Sequence, residues 1–364
     1  MLFISFEKAS GYRVWKSDGT ETGTFVVEEI RSDAQIANDT HATNANGTLF
    51  FRANQSHGED LWKTDGTKVG TKFIRNIRPE TRNPPLHQHL TSVNDTLFFQ
   101  AYDETSGYEL WKSDGTEAGT VLVKDILSGA DSSTPRYLMN VSGTLFFEAD
   151  DGTGNFELWK SDGTAAGTVL VKDHLPVSHS LWPFAAADVS GTLFFQANDG
   201  IHGNELWKTD GTEAGTVLVK DINPGRGSSA GNRMVHVNGT LFFDADDGTS
   251  GLELWRSDGT AAGTVRVRDI QPGSGDSDIR ELAHGNGTLL FNADDGIHGT
   301  ELWKSDGTEA GTVMVKDISP AGASIRKLTE VNGEIFFQAD DGIAGSELWK
   351  SDGTEAGTVT VHGY

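Results

Sequence analysis

The sequence predicts an all-β chain: a closed β-propeller of eight four-stranded antiparallel blades, the first lacking one strand. Three observations carry this. The stretch Glu109-Leu-Trp-Lys-Ser-Asp-Gly-Thr-Glu-Ala-Gly-Thr120 recurs along the whole 364-residue chain, with its tryptophans at Trp15, Trp62, Trp111, Trp159, Trp207, Trp255, Trp303 and Trp349. Their spacing of 46–49 residues is that of a solenoid, propeller or array. Each complete copy holds four short apolar segments punctuated by turn dipeptides, and no stretch shows a helical period of apolar residues.

The copy from Asn232 to Ile270 shows the elements in order. Met234–Val237 reads as a short strand, A. Asn238-Gly239 is a two-residue hairpin turn. Thr240–Ala245, rich in aromatic and apolar residues, is strand B. Asp246–Gly251 is a turn-forming loop, and Glu253–Ser257 is strand C. Asp258–Gly263 is a second turn, Thr264–Ile270 is strand D, and a Pro/Gly/Ser-rich link leads to the next copy. The repeats cover about residues 1–30, 31–77, 78–126, 127–175, 176–222, 223–270, 271–318 and 319–364, read together as one propeller domain. The first copy begins at its strand B, Leu2–Ser5, so strands B, C and D occur eight times and strand A seven. An upstream segment, a strand donated by a partner, or a tolerated gap would each account for this.

The formal net charge of −24 disfavours nucleic acid and anionic membranes as partners and suits a cation, a basic partner or a solvated surface. There is no cysteine, which excludes disulfides and thiolate chemistry. No apolar run reaches the roughly 20 residues of a membrane helix, so no membrane insertion by a helix is expected. The opening Met1-Leu-Phe-Ile-Ser-Phe6 is unlike a signal peptide and reads as the middle of a repeat, with a leader absent or removed.

Glu-Leu-Trp-x-x-Asp-Gly-Thr-x-x-Gly-Thr stands complete at Glu109–Thr120, Glu157–Thr168, Glu205–Thr216, Glu253–Thr264, Glu301–Thr312 and Glu347–Thr358. It degenerates to Arg13-Val-Trp15 in the first copy and Asp60-Leu-Trp62 in the second. In this the chain resembles the ELWxxDGT-repeat family of mostly bacterial, often exported proteins. The resemblance covers essentially the whole chain. It implies a propeller-like fold and an extracellular or cell-surface setting more than an activity.

Comparing the copies separates scaffold from candidate function. The repeated Trp reads as packing between blades, and the Asp-Gly-Thr turn as turn chemistry. The Lys-Asp of Val123-Lys124-Asp125, Val219-Lys220-Asp221 and Val315-Lys316-Asp317 reads as surface charge. The B–C loops carry the carboxylate pairs Asp150-Asp151, Asp246-Asp247, Asp294-Asp295 and Asp340-Asp341, with a motif Glu following; these are oxygen ligands of the type that holds Ca²⁺. Asn-Gly-like turns explain the Asn-x-Ser/Thr matches, such as Asn238, without glycosylation.

Blade-specific polar residues gather on strand A and the link before it, where a propeller's first strands line its channel. There stand His41, His89, Arg136, Tyr137, Arg233, His236, Arg280, Glu281 and Arg326, with Trp182 the one tryptophan outside the repeat. Aromatic, His and Arg residues together suit a sugar, a peptide or an anionic group. No Gly-x-Ser-x-Gly, His-Glu-x-x-His or P-loop motif occurs, and His87-x-His89 lacks an assignable third ligand. The leading expectation is therefore an extracellular non-enzymatic module that binds a carbohydrate, peptide or surface protein through its blade-variable face. A hydrolase acting on polysaccharide at the channel mouth is the second. A surface-layer or filament component that exchanges a strand at the incomplete blade is the third.

Overall fold

The computed structural model describes residues 1–7, 11–30, 42–55, 58–79, 90–172 and 185–361. Among these every regular element is a strand, and they form eight antiparallel sheets. The first sheet has three strands, Leu2–Glu7, Gly11–Lys16 and Phe25–Ile30, and each of the others has four in simple chain order. This is the predicted set of propeller blades, with strand A missing from the first. Blades 1–4 belong to one compact unit, Met1–Asp173, and blades 5–8 to a second, His174–Tyr364.

Strand B shows why these segments form blades. In Thr96–Asp103, Leu97, Phe99 and Ala101 point one way and Phe98 the other, as the two-residue period of a strand requires. Leu97, Phe99, Ala101 and Trp111 pack with Phe50, Leu61, Ile74 and Ile77 of blade 2. Phe98, Leu110 and Val123 pack with Leu145, Phe147, Ala149 and Trp159 of blade 4. A blade is thus apolar on both faces, which explains its near-continuous apolar strand B. The same seams recur in the second unit, between blades 5 and 6, 6 and 7, and 7 and 8.

The motif Trp is the wedge of each seam, as its repetition predicts: Trp111, Trp159, Trp255, Trp303 and Trp349 lie in clusters that span two blades. The Lys of Lys-Asp corrects its sequence reading as loose surface charge. Lys124 Nζ donates to the Thr168 carbonyl of the next blade at 2.8 Å and stands 5.6 Å from the centre of the Trp159 ring. Lys220 does the same with Thr264 and Trp255, and Lys316 with Thr358 and Trp349. Arginine takes the role at Arg75 and Arg268. A half-covered cation over an aromatic face, with a carbonyl to bond, is held more strongly than an exposed ion pair.

Candidate functional site

The C–D turn uses every polar position of the motif on itself. Asp114 Oδ1 accepts the Thr116 amide at 2.8 Å and the Thr116 hydroxyl at 2.7 Å. Thr116 Oγ1 accepts the Gly119 amide, and the Thr120 hydroxyl donates to the Thr116 carbonyl. Ser113 Oγ accepts the Gly115 amide and shares a 2.8 Å hydrogen bond with Thr120. Gly115 has φ +87°, and a Cβ on Gly119 would lie 2.1 Å from the Asp114 carboxylate, so both glycines are obligatory. These bonds hold the carboxylates of Asp18, Asp65, Asp114, Asp162, Asp258, Asp306 and Asp352 below their ordinary pKa, the Thr hydroxyl bond being the largest cause.

The motif Glu was read only as a further oxygen beside the calcium candidates. It is instead a buried clasp. Glu205 accepts the Ile222 amide at 2.9 Å, the Ser229 amide at 3.1 Å and the Ser229 hydroxyl at 2.7 Å, all from the link that follows strand D. The Ser229 carbonyl accepts the Asp246 amide, at the end of strand B in the next blade, at 3.1 Å. One carboxylate therefore fixes the link, and the link fixes the next blade. Glu109 and Ser133 repeat this toward Asp150. Glu253 and Glu301 hold their links through Ile270 with Gln271 and Ile318 with Ser319. Burial pushes Glu109, Glu253 and Glu301 up to about 7, against the lowering effect of the amides they accept. In blade 2 the shorter Asp60 accepts from the Asn76 side-chain Nδ2 at 2.9 Å.

In the B–C loops the carboxylates read as calcium candidates bond to their own turns. Asp246 accepts the Gly248 amide, and Asp247 accepts those of Thr249 and Ser250. Asp150 and Asp151 are engaged with Gly152 and Thr153, Asp294 and Asp295 with Gly296 and Ile297, and Asp340 and Asp341 with Gly342 and Ile343. Two adjacent carboxylates serve two adjacent turn amides, and the motif Glu faces inward. Among the described residues no group of three or more His, Cys, Asp or Glu side chains is placed to hold a metal. Millimolar Ca²⁺ or EDTA is therefore expected to leave the melting midpoint unchanged, as differential scanning fluorimetry would read.

Of the blade-variable candidates, His41, His89 and Trp182 lie outside the described residues, as do His87 and the link around them. His236 is a turn cap: its Nε2 accepts the Gly239 amide at 2.8 Å. Asn44, Asn140, Asp188 and Glu330 accept the matching glycine amide in their own blades. The variation at this position is variation among acceptors. His236→Ala is expected to cost about 1 kcal/mol and His236→Asn to restore most of it, as urea unfolding would show.

The structure brings Arg136 and Tyr137 together. Arg136 Nε donates to buried Glu148 at 2.9 Å, and its guanidinium stacks 3.4 Å from the Phe156 ring centre and 5.3 Å from that of Tyr137. Tyr137 is buried at a register break in strand A with φ +53°, and burial pushes its hydroxyl up to about 12. Phe156 was not anticipated, because only the fold carries the B–C loop back to strand A. In blades 6 and 7, Arg233 Nε donates to the Arg280 carbonyl at 2.6 Å, and Arg280 Nε to Asp278 at 2.9 Å. The Arg280 and Glu281 amides both donate to Asn292 Oδ1. Arg326 is exposed opposite Gln338.

No protein-family model matches the chain, and no curated protein matches it. Among solved structures it is similar to a prolyl endopeptidase, at 11% identity and TM-score 0.48 over 88% of this chain and 49% of that one. A puromycin hydrolase S511A mutant complexed with PGG is similar at 13% and 0.45, over 93% and 56%. The β-propeller domain of the Trilobed protease from Pyrococcus furiosus is similar at 9% and 0.42, over 89% and 98%. The chain thus spans about half the length of the first two. A likeness this distant is one of architecture and carries no activity. The expectation of a non-enzymatic module that binds or assembles through its blade-variable face is corrected at this point. The similar structures named here are peptidases and a hydrolase, or a propeller domain from one. Among the described residues, Arg136, Arg233, His236 and Arg280 are engaged in turns, bulges and bonds to other parts of the chain. The hydrolytic and strand-exchanging alternatives gain no argument from so distant a likeness.

Proposed function

We propose that this chain is a rigid propeller scaffold, a domain whose repeated chemistry is spent on holding one blade to the next. The observation that carries this is the buried clasp: Glu205 takes the link amides of Ile222 and Ser229, and Ser229 takes the next blade's Asp246. Links that would otherwise be ordinary mobile loops are bonded like strands. Amide hydrogen exchange tests it. Ile222, Ser229, Ile270 and Ser277 are expected to be protected to within about tenfold of the strand B amides Phe242 and Phe243. Exchange of those link amides at surface-loop rates, with strand B still protected, would overturn the scaffold reading.

We also infer membership in the ELWxxDGT-repeat family and, with it, an exported setting. Six complete copies of the motif support it. Fractionation of the native source, with the protein found only in the cytosol, would sink the exported setting.

A further inference from the structure

The residue two places after the aspartate of the B–C loop divides the blades into two kinds. It is threonine in blades 3, 4 and 6, at Thr105, Thr153 and Thr249. The Thr249 hydroxyl donates to Asp247 at 2.7 Å, and Thr105 serves Asp103 in the same way. In blades 5, 7 and 8 the residue is Ile201, Ile297 or Ile343. Each keeps the amide bond to its aspartate, at 2.9 Å, and has no hydroxyl to add a second. They are 64%, 80% and 88% exposed. One exposed isoleucine is ordinary on a protein surface. Three at the same place, where threonine serves the turn better, are not required by the turn itself.

Blades 7 and 8 bring two of these isoleucines to one stretch of surface. The link between the blades, Ser319-Pro320-Ala321-Gly322-Ala323, is bonded to both loops. The Ala323 amide donates to the Thr300 carbonyl at 2.8 Å, and the Ala323 carbonyl accepts the Asp340 amide at 2.8 Å. A Cβ on Gly299 would lie 2.9 Å from the Gly322 Cα, so the blade 7 loop rests directly on the link. Pro320, Ala321 and Ala344 are exposed along with Ile297 and Ile343. The links that follow blades 3, 5 and 6 carry a charged side chain, Asp131, Arg226 and Asp276; Ser319–Ala323 carries none. The surroundings are acidic: segments 294–300, 317–323 and 340–346 hold five aspartates, one histidine and no Lys or Arg. The histidine, His298, is taken up by Asp295, Nδ1 to Oδ2 at 2.8 Å. Ile201 stands apart, because blade 6 after it has Thr249 and the link between them has Arg226.

We propose that this face of blades 7 and 8 docks a cationic amphipathic segment of a partner protein, its apolar side chains on Ile297, Ala321 and Ile343 and its lysines or arginines over the surrounding aspartates. Exposed apolar surface inside a ring of one charge calls for a partner with apolar contacts and the opposite charge. A second copy of the chain does not supply that: it would bring the same aspartates and a net charge of −24. An anionic membrane is repelled on the same ground. The surface shares no residue with the strand A positions that vary between blades.

This goes beyond the scaffold reading and does not rest on it. The experiment titrates the full chain near pH 7 with an amphipathic leucine–lysine peptide, reading the Ile297, Ala321 and Ile343 amides by NMR. An alanine–lysine peptide of equal charge and a leucine–glutamate peptide are the controls. Saturable shifts at those amides are expected with the first peptide alone. Ile297→Thr combined with Ile343→Thr should weaken binding about tenfold or more, while Ile201→Thr, the same exchange in blade 5, should leave it unchanged. Threonine is what blade 6 carries at this place, so an unchanged or raised melting midpoint shows the variant folded. Ile343→Thr alone gives the same reading if the pair lowers the midpoint. Unchanged affinity in these variants, or equal binding of the alanine–lysine peptide, would mean diffuse charge attraction and sink the proposal. Isoleucine-dependent binding to phosphatidylcholine vesicles, or an isoleucine-dependent dimer in sedimentation, would assign the face to lipid or to a second copy and overturn it equally.

Discussion

Trp255→Ala is expected to lower the unfolding free energy by about 3–5 kcal/mol, read as a lower denaturant midpoint at unchanged slope. Trp255 is 6% exposed and packs with Ala187, Phe194, Leu206, Val219 and Ile222 of blade 5 and with Leu241, Phe243 and Ala245 of its own blade. Truncation empties the middle of that seam and leaves Lys220 without its aromatic face. The polar part of the indole contributes little, because its Nε1–H has no hydrogen-bond partner among the described residues. In blade 1 the matching donor does have one: Trp15 Nε1 reaches Ser5 Oγ at 2.8 Å, where blade 6 has Ala245. Trp255→Phe should therefore cost less than about 2 kcal/mol, since it keeps most of the apolar body and removes an unpaired donor. If Phe proves as damaging as Ala, the indole has a polar role that this packing does not contain.

Removing a clasp comes second. Glu205→Ala strands the Ile222 and Ser229 amides in a buried link and should cost about 3 kcal/mol, with link amides exchanging faster than the rest of the blade. Glu205→Gln should be intermediate, because its amide nitrogen must face a donor on one side. The same carboxylates give stability a defined pH dependence. Glu109, Glu253 and Glu301 are raised from 4.5 to about 7 in the fold. Their contribution is fully present below the unfolded value and is lost as pH rises through about 7. The turn aspartates run the other way. They are lowered in the fold, so their contribution is present above the unfolded value of 3.8 and lost as pH falls through the folded one. The melting midpoint should peak between these two ranges, decline toward pH 8 on the Glu side and collapse in acid on the Asp side. A midpoint that rises steadily from pH 5 to 8 would contradict the assignment for the glutamates.

How much was legible follows from which interactions are local. The period, the four strands of a repeat, the short first blade and the turns could be read because each rests on neighbours in sequence. Alternation in Thr96–Asp103, the φ of Gly115 and the reach of Asp114 to Thr116 are settled within a few residues. Comparison of copies also marked Trp as scaffold. It did not say what Glu205, Lys124 or His236 does, since a repeated polar residue looks the same in sequence whether it faces water, a metal or a buried amide.

Tertiary structure decided those roles because their partners are distant along the chain. Lys124 finds Thr168 44 residues on, and Glu205 finds Ser229 24 residues on. His236 shows the converse: its partner Gly239 is three residues away, yet its variability suggested a ligand, because any acceptor of suitable reach can cap that turn. The blade is legible from local sequence, since it is a matter of two-residue periodicity and turn stereochemistry. Only the fold decided which polar groups the blades use on one another, because burial and hydrogen-bond partnership across a seam exist only once two blades have met.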